Sequence, residues 1–199
     1  MKIRIKSCIV KFKFSFFALI AFCNIVAGVK DGGLIIFSVF LHESAHLAAM
    51  IINRQIPSKI SFSALGIKIS LNRESFISYS QSISISLAGP LINLALGVIL
   101  ILFGYKQHFF TMINLTLGIL HILPIEPLDG GLALKAFLKG HIDKKRAETI
   151  SIIISLLFLI PLAVIGFLIL LKTKNNFSLL FLSVYLMLYL VLKKDSAIF

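Results

Sequence analysis

Long apolar runs separated by short polar segments make up most of this chain of 199 residues. Six such runs are recognisable, each close to the roughly 20 residues that a helix needs to cross the hydrocarbon core of a bilayer. The fourth run contains Pro124, Pro127, Gly130 and Gly131, so only its first half is expected to be regular helix. The pattern predicts an all-α polytopic membrane protein with about six transmembrane helices. Their approximate positions are 12–29, 33–53, 83–104, 109–134, 150–171 and 177–193.

A pattern with period two lies between the second and third runs, over Ser58–Leu71. Apolar residues alternate with others there, and the phase slips by one residue at Ala64–Leu65, beside Gly66. Alternation is typical of half-buried strands, and glycine beside a phase slip is typical of a turn or bulge. One interpretation is an amphipathic linker at the membrane surface. The other is a short β-hairpin-like segment, whose edge could pair with an extended peptide.

Composition supports a membrane protein, because 58% of the residues are hydrophobic, whereas soluble domains average about 45–50%. No separate soluble module is visible, so residues 1–199 are interpreted as one membrane-embedded domain. The net charge of +12 would indicate nucleic acid in a soluble protein. Here the basic residues fall between the apolar runs, so we expect the lipid bilayer, and no nucleic acid, as a partner. Cys8 and Cys23 form neither a disulfide framework nor a zinc knuckle.

Basic residues predict how the spans are oriented. The tail, the connections after runs two and four, and the C-terminal end carry 16 Lys and Arg, whereas the opposite connections carry 4. With six spans and an uncleaved first run, the positive-inside rule places both termini in the cytoplasm.

Three ionisable side chains interrupt the second run, in the segment His42-Glu43-Ser44-Ala45-His46. Charged groups at bilayer depth cost about 2.5–3.5 kcal/mol each, so such a cluster predicts a functional site. Histidines at positions i and i+4 project from one helix face and can bind one Zn²⁺, with the glutamate beside them as general base. The alternative is a buried structural pair of histidines.

A catalytic zinc site usually has three protein ligands and one open position, so a third ligand is needed. Five of the eight acidic residues fall in predicted loops or tails, which leaves Glu126 and Asp129 outside the His-Glu-x-x-His segment. Both lie where proline and glycine break the fourth run. Irregular backbone at membrane depth must be buried or line a cavity. From this position we predict Asp129 as the third ligand of one zinc ion per chain.

Three segments, in this order along the chain, resemble motifs of the site-2 proteases, which are intramembrane zinc metalloproteases. Residues 42–46 look like the zinc-binding helix, and Ala88–Asn93 is similar to a small-Gly-Pro-x-x-Asn motif. Pro124–Gly131 looks like the Leu-Pro-x-x-Pro-Leu-Asp-Gly-Gly element. The resemblance covers residues 33 to about 138, the expected zinc-site core. It implies Glu43 as the catalytic base, Asp129 as a metal ligand with His42 and His46, and substrate contact by Asn93.

One position departs from the family pattern. The family usually has asparagine three residues before the first proline of the third motif, and this chain has His121 there. That asparagine is associated with holding the substrate backbone or the oxyanion. His121 could donate a similar hydrogen bond, act as an extra metal ligand, or mark weakened activity, and we rank these interpretations in that order.

The six-span arrangement resembles the sporulation stage IV FB-type proteases, as a minimal core without their C-terminal regulatory domain. This resemblance implies regulated intramembrane proteolysis of a membrane-tethered protein, either a sigma-factor precursor or an anti-sigma factor. It also implies a bacterial cytoplasmic or forespore membrane, with a membrane-protein regulator as a further partner. The alternatives are a catalytically inactive pseudo-protease that binds membrane partners and, ranked lower, a metal transporter, for which internal repeats would be expected.

The charge asymmetry makes the orientation testable. Reporter fusions after Leu71 and after Arg146 should report the cytoplasm, and fusions after Lys106 and after Lys174 should report the opposite side. Activity of paired cytoplasmic and periplasmic reporters measures this. The inverted pattern would contradict the orientation derived from the basic residues.

Overall fold

The computed structural model describes residues 2–5, 8–12, 14–55, 57–63, 66–71 and 77–195. Within these residues the chain forms six α-helices and four strands, and it divides into two compact units, Met1–Ile119 and Leu120–Phe199. The elements are β1 (Lys2–Ile5), β2 (Cys8–Phe12), α1 (Phe14–Ile52), β3 (Pro57–Ser63), β4 (Gly66–Leu71), α2 (Tyr79–Leu102), α3 (Phe109–Ile122), α4 (Asp129–His141), α5 (Lys144–Thr173) and α6 (Ser178–Asp195).

Helix α1 joins the first two predicted runs without the loop that was expected between them. The only non-helical backbone inside it is at Gly28, with φ 80° and ψ 159°. Glycine has no Cβ and adopts positive φ at little cost. The chain therefore changes direction within one residue, and the polar residues Lys30 and Asp31 lie inside helix.

The described strands form one sheet in the order β1-β2-β3-β4. Strands β3 and β4 are antiparallel, with Ser63 opposite Gly66, and they lie where the alternation over Ser58–Leu71 indicated strands. The predicted phase slip at Ala64–Leu65 lies outside the described residues.

Strands β1 and β2 were not predicted, so the all-α description with one hairpin understates the sheet. Strand β2 pairs in parallel with β3, and α1 supplies the crossover that parallel neighbours require. In the tail, Lys2 and Arg4 alternate with Ile3 and Ile5. This alternation was interpreted only as a charge signal.

In the first unit, two glycines allow α2 and α3 to pack closely. A Cβ on Gly97 would collide with the side chain of Leu115, and one on Gly118 would collide with that of Leu94. Close backbone approach through small residues is the usual way in which membrane helices associate.

The second unit packs around a small apolar core formed by Ile125, Leu159, Leu186 and Leu190. The predicted break in the fourth run is confirmed, because helix ends at Ile122 and begins again at Asp129. The new helix, α4, continues through residues expected to form a polar connection and ends at His141.

Three helical stretches among the described residues are long and apolar enough to cross a membrane: Asn24–Ile52, Tyr79–Leu102 and Lys144–Thr173. Two shorter apolar helices cover Phe109–Ile122 and Ser178–Leu192. These stretches expose many large apolar side chains, far more than the surface of a water-soluble protein carries. They indicate an integral membrane protein, and the count of six spans stays a prediction.

Candidate metal centre

The two histidines of the second apolar run lie one helical turn apart on α1, in the first unit. Both are buried, with exposed fractions of 4% for His42 and 8% for His46. Their Nε2 atoms face each other at 3.2 Å. The predicted i, i+4 geometry therefore brings both imidazoles to one point.

Each imidazole is held by its other ring nitrogen. The Nδ1 atom of His42 lies 3.0 Å from Oδ1 of Asn93, and Nδ1 of His46 lies 2.7 Å from the backbone oxygen of Ile85. Both partners are acceptors, so the Nδ1 atoms donate and the lone pairs are on Nε2. Histidine ligands of metals are almost always fixed in this way by their second nitrogen.

The spacing of the Nε2 atoms fits a shared zinc ion. Tetrahedral coordination with Zn–N bonds of about 2.0–2.1 Å places two ligand nitrogens roughly 3.3 Å apart, close to the observed 3.2 Å. A cation between the two Nε2 atoms would stabilise imidazoles whose lone pairs face each other.

Gly89 on α2 keeps the space in front of these nitrogens open. A Cβ on Gly89 would lie 2.6 Å from Nε2 of His42 and in collision with Nε2 of His46. The glycine of the Ala88–Asn93 segment thus leaves a cradle the size of a small ligand atom beside both nitrogens. The arrangement of this cradle and its two nitrogen donors fits zinc.

Glu43 follows His42 on α1 and is half-buried. It lies three residues before His46, so its Cα is on the side of the helix that carries the histidines. Its assignment as general base stays a prediction.

In the second unit, Asp129, the predicted carboxylate ligand, contacts His121, the residue at which this chain differs from the site-2 protease motifs. Asp129 is the first residue of α4, and its Oδ2 atom lies 2.8 Å from Nδ1 of His121, in the last turn of α3. Both side chains are partly buried. His121 can therefore orient this carboxylate, a role that differs from the three interpretations of His121 given above.

Gly130 and Gly131 allow the backbone to pack tightly at this point. A Cβ on Gly130 would collide with the carbonyl of Ile122, and one on Gly131 would collide with the backbone of Ile125. The start of α4 lies directly against the irregular segment that precedes it, and only glycine fits at these two positions.

Glu126, the other candidate carboxylate, is used differently. It is fully buried; its Oε1 accepts a hydrogen bond from Oγ of Ser151 at 2.6 Å, and its Oε2 lies 3.4 Å from Nζ of Lys135. The Glu126 amide donates to Oγ of Ser155 at 3.0 Å. These contacts attach the irregular segment to α4 and α5. Ser151 and Ser155, four residues apart in the fifth apolar run, were the sequence signal that could have predicted these contacts.

The predicted site residues thus form one group in each unit. His42, His46 and Asn93 are brought together in the first, and His121 contacts Asp129 in the second. Asn93 is 1% exposed, and its amide bonds with His42 and with Asn114. The contacts observed are therefore with other side chains, and substrate contact by Asn93 stays a prediction.

Comparisons with known proteins identify a similar family and a similar fold. Residues 103–162 match the model of Peptidase family M50. The fold is similar to that of the site-2 protease from Methanocaldococcus jannaschii, with a TM-score of 0.60 and 22% sequence identity. That similarity covers 94% of this chain and 91% of the other. A comparison with curated proteins gives no match.

Gly89→Ala should weaken zinc binding on the order of tenfold or more, as removal of a ligand's support does, because the methyl group would enter the cradle. Chelator competition on the purified protein in detergent measures the affinity. Gly33→Ala is the matched control, since a Cβ on that α1 glycine meets nothing within 4 Å. Equal zinc affinity in both variants would contradict a metal position in front of the Nε2 atoms.

Proposed function

We propose that this chain is an intramembrane zinc metalloprotease of the site-2 type, which cleaves peptide bonds of membrane-tethered proteins. The observation that carries the proposal is the buried pair His42 and His46, with converging Nε2 atoms and anchored Nδ1 atoms on an apolar helix. The match to Peptidase family M50 and the fold of a site-2 protease support it.

The proposed ligands of one zinc ion per chain are His42, His46 and Asp129. The donor types support this set, because two neutral imidazoles and one carboxylate reduce the charge of the centre to +1. A centre of that charge is far less costly in a medium of low dielectric than the bare ion. The Asp-Gly-Gly sequence after the proline-containing segment supports Asp129 as the third ligand. Glu126 is the poorer candidate because its carboxylate is already bonded to Ser151 and Lys135.

Glu43 is the proposed general base. A zinc ion at these ligands would supply a water of lowered pKa and polarise the scissile carbonyl. Glu43 takes the proton of the attacking water and later donates it to the departing amine. His121 is the proposed hydrogen-bond donor to the substrate backbone or the oxyanion. Asn93 is the weaker candidate because it is 1% exposed and its amide already bonds to both His42 and Asn114.

The substrate must reach the site in an extended conformation, because a helix hides its peptide bonds. Strand β4 is at an edge of the sheet, and an exposed edge can add an extended peptide as a further strand. We propose β4 as the element that holds the unwound segment of the substrate.

The proposed substrate class is a membrane-tethered sigma-factor precursor or anti-sigma factor. The proposed location is a bacterial cytoplasmic or forespore membrane, with both termini in the cytoplasm, and a membrane-protein regulator is a further proposed partner. The support is the resemblance to the sporulation stage IV FB-type proteases and the distribution of basic residues.

A second candidate function is that of a pseudo-protease that binds tethered proteins without cleaving them. The hydrogen bond between His121 and Asp129 is the observation in its favour, because it engages one oxygen of the proposed ligand. Cleavage by the wild-type chain decides between the two.

Glu43→Gln should abolish cleavage while zinc stays bound, because the amide cannot accept the proton and Glu43 is not a ligand. The measurements are zinc stoichiometry of the purified protein and cleavage of co-expressed tethered sigma or anti-sigma factors. Glu148→Gln, which alters a partly buried carboxylate paired with Lys139, is the control. Loss of zinc together with activity would make Glu43 a ligand.

Replacements of His121 and Asp129 test the third ligand. His121→Asn should keep zinc and much of the activity, since asparagine can donate the same hydrogen bond. His121→Leu should keep zinc but lose on the order of 10²-fold in rate, as expected when one oxyanion donor is removed. Asp129→Asn should weaken zinc binding, because a neutral amide is a poor ligand. Zinc that is lost from His121→Asn and retained by Asp129→Asn would reverse the assignment.

A further inference from the structure

His42 and three buried side chains behind it form one continuous series of hydrogen bonds within the first unit. Oδ1 of Asn93 accepts from Nδ1 of His42 at 3.0 Å, and Nδ2 of Asn93 donates to Oδ1 of Asn114 at 3.0 Å. Nδ2 of Asn114 donates to Oγ of Ser38 at 3.1 Å, and that hydroxyl donates to the Leu34 carbonyl at 2.9 Å. The series leaves α1 at His42, crosses α2 and α3, and returns to α1 one turn earlier.

The direction of this series is set at Asn114. Its Nδ2 atom also lies 2.8 Å from the carbonyl oxygen of Phe110, which can only accept a hydrogen bond. The reversed amide would place two oxygens in contact there, with no proton between them. Nδ2 of Asn114 therefore points at Phe110 and Ser38, and its Oδ1 must face Asn93.

The state of His42 follows from that direction. Because Oδ1 of Asn114 accepts from Nδ2 of Asn93, the oxygen of Asn93 faces the imidazole and requires a proton on Nδ1. Nε2 of His42 then carries a lone pair. In the reversed series Nδ2 of Asn93 would donate to Nδ1, the proton would move to Nε2, and that nitrogen could not bind a metal.

Burial leaves the members of this series only one another and the backbone as hydrogen-bond partners. Ser38 and Asn114 are 0% exposed and Asn93 is 1% exposed, so water cannot replace a missing partner. A buried polar group that loses its partner is strongly unfavourable in hydrocarbon surroundings. Among the described residues, every buried side-chain nitrogen and oxygen has a hydrogen-bond partner.

We propose that Asn114 and Ser38, acting through Asn93, are positioning residues that hold His42 in the metal-binding tautomer. This inference rests on the proposed function, because it takes His42 as a metal ligand. Neither Asn114 nor Ser38 belongs to the three motifs that carry the family resemblance. Asn114 is 72 positions from His42, and its backbone lies on a different helix.

The test measures the tautomer directly, by ¹⁵N NMR of the zinc-free protein labelled at histidine, with His42→Gln used to assign the signal. Wild type should show one tautomer for His42, protonated on Nδ1. Asn114→Leu replaces the amide with an apolar side chain of similar size and should produce a mixture of both tautomers. Its zinc affinity, from chelator competition, should fall on the order of tenfold.

Ser38→Ala provides a milder second variant, because Asn114 keeps the Phe110 carbonyl as an acceptor. Its effects should have the same direction as those of Asn114→Leu and a smaller size. Asn24→Leu and Ser183→Ala are matched controls. The Asn24 amide and Ser183 hydroxyl each donate to a carbonyl of their own helix, at 2.8 Å, and neither belongs to the series that ends at His42. Both controls should leave tautomer and affinity unchanged.

Thermal unfolding identifies the variants that are folded, and the comparison uses those. An Nε2-protonated His42 in the wild type, or unchanged tautomer and zinc affinity in folded Asn114→Leu and Ser38→Ala, would overturn the inference. The variants could show the expected changes in tautomer and zinc affinity while the wild-type protein cleaves no tethered substrate. That result would support the inference and contradict the proposed protease activity.

Discussion

The requirement that polar groups inside a bilayer find partners within the protein explains most of the candidate site. Water is not available at that depth to satisfy an unpaired donor or acceptor. A pair of histidines on an apolar helix therefore needs acceptors for both Nδ1 atoms, which Asn93 and the Ile85 carbonyl provide. Asn93 in turn needs Asn114. Each polar side chain makes the next one necessary, until the series ends at a helix carbonyl that needs nothing further.

The second unit meets the same requirement with a charged group. Glu126 is fully buried, and Ser151 and Lys135 supply its hydrogen-bond donors. A buried carboxylate is costly unless it is paired and hydrogen-bonded, so these partners hold the irregular segment in one place. Asp129 follows three residues later. Attachment of the backbone at Glu126 and orientation of the carboxylate by His121 together restrict where Asp129 can point.

Glycine supplies the complementary constraint, because polar partners meet only where backbones approach closely. Gly89 brings α2 against the imidazoles, and Gly130 and Gly131 bring α4 against the segment before it. In each case a Cβ would occupy space that another group already needs. Contact distances therefore explain why glycine occupies these positions of the motifs, whereas the chemistry of metal binding explains the predicted ligand positions.

Local sequence determined which side chains stand at the predicted site positions and where most of the apolar helices lie. Hydrophobic runs of membrane length, proline and glycine at 124–131, and two histidines four residues apart each act within a few neighbouring residues. The alternation over Ser58–Leu71 likewise predicted the pair of strands β3 and β4. Tertiary structure decided the kink at Gly28, the pairing of β2 with β3, and the partners of His42 and Glu126. Those features depend on residues such as Asn114 and Ser151, whose side chains are ordinary in sequence and acquire a role only when another helix packs against them.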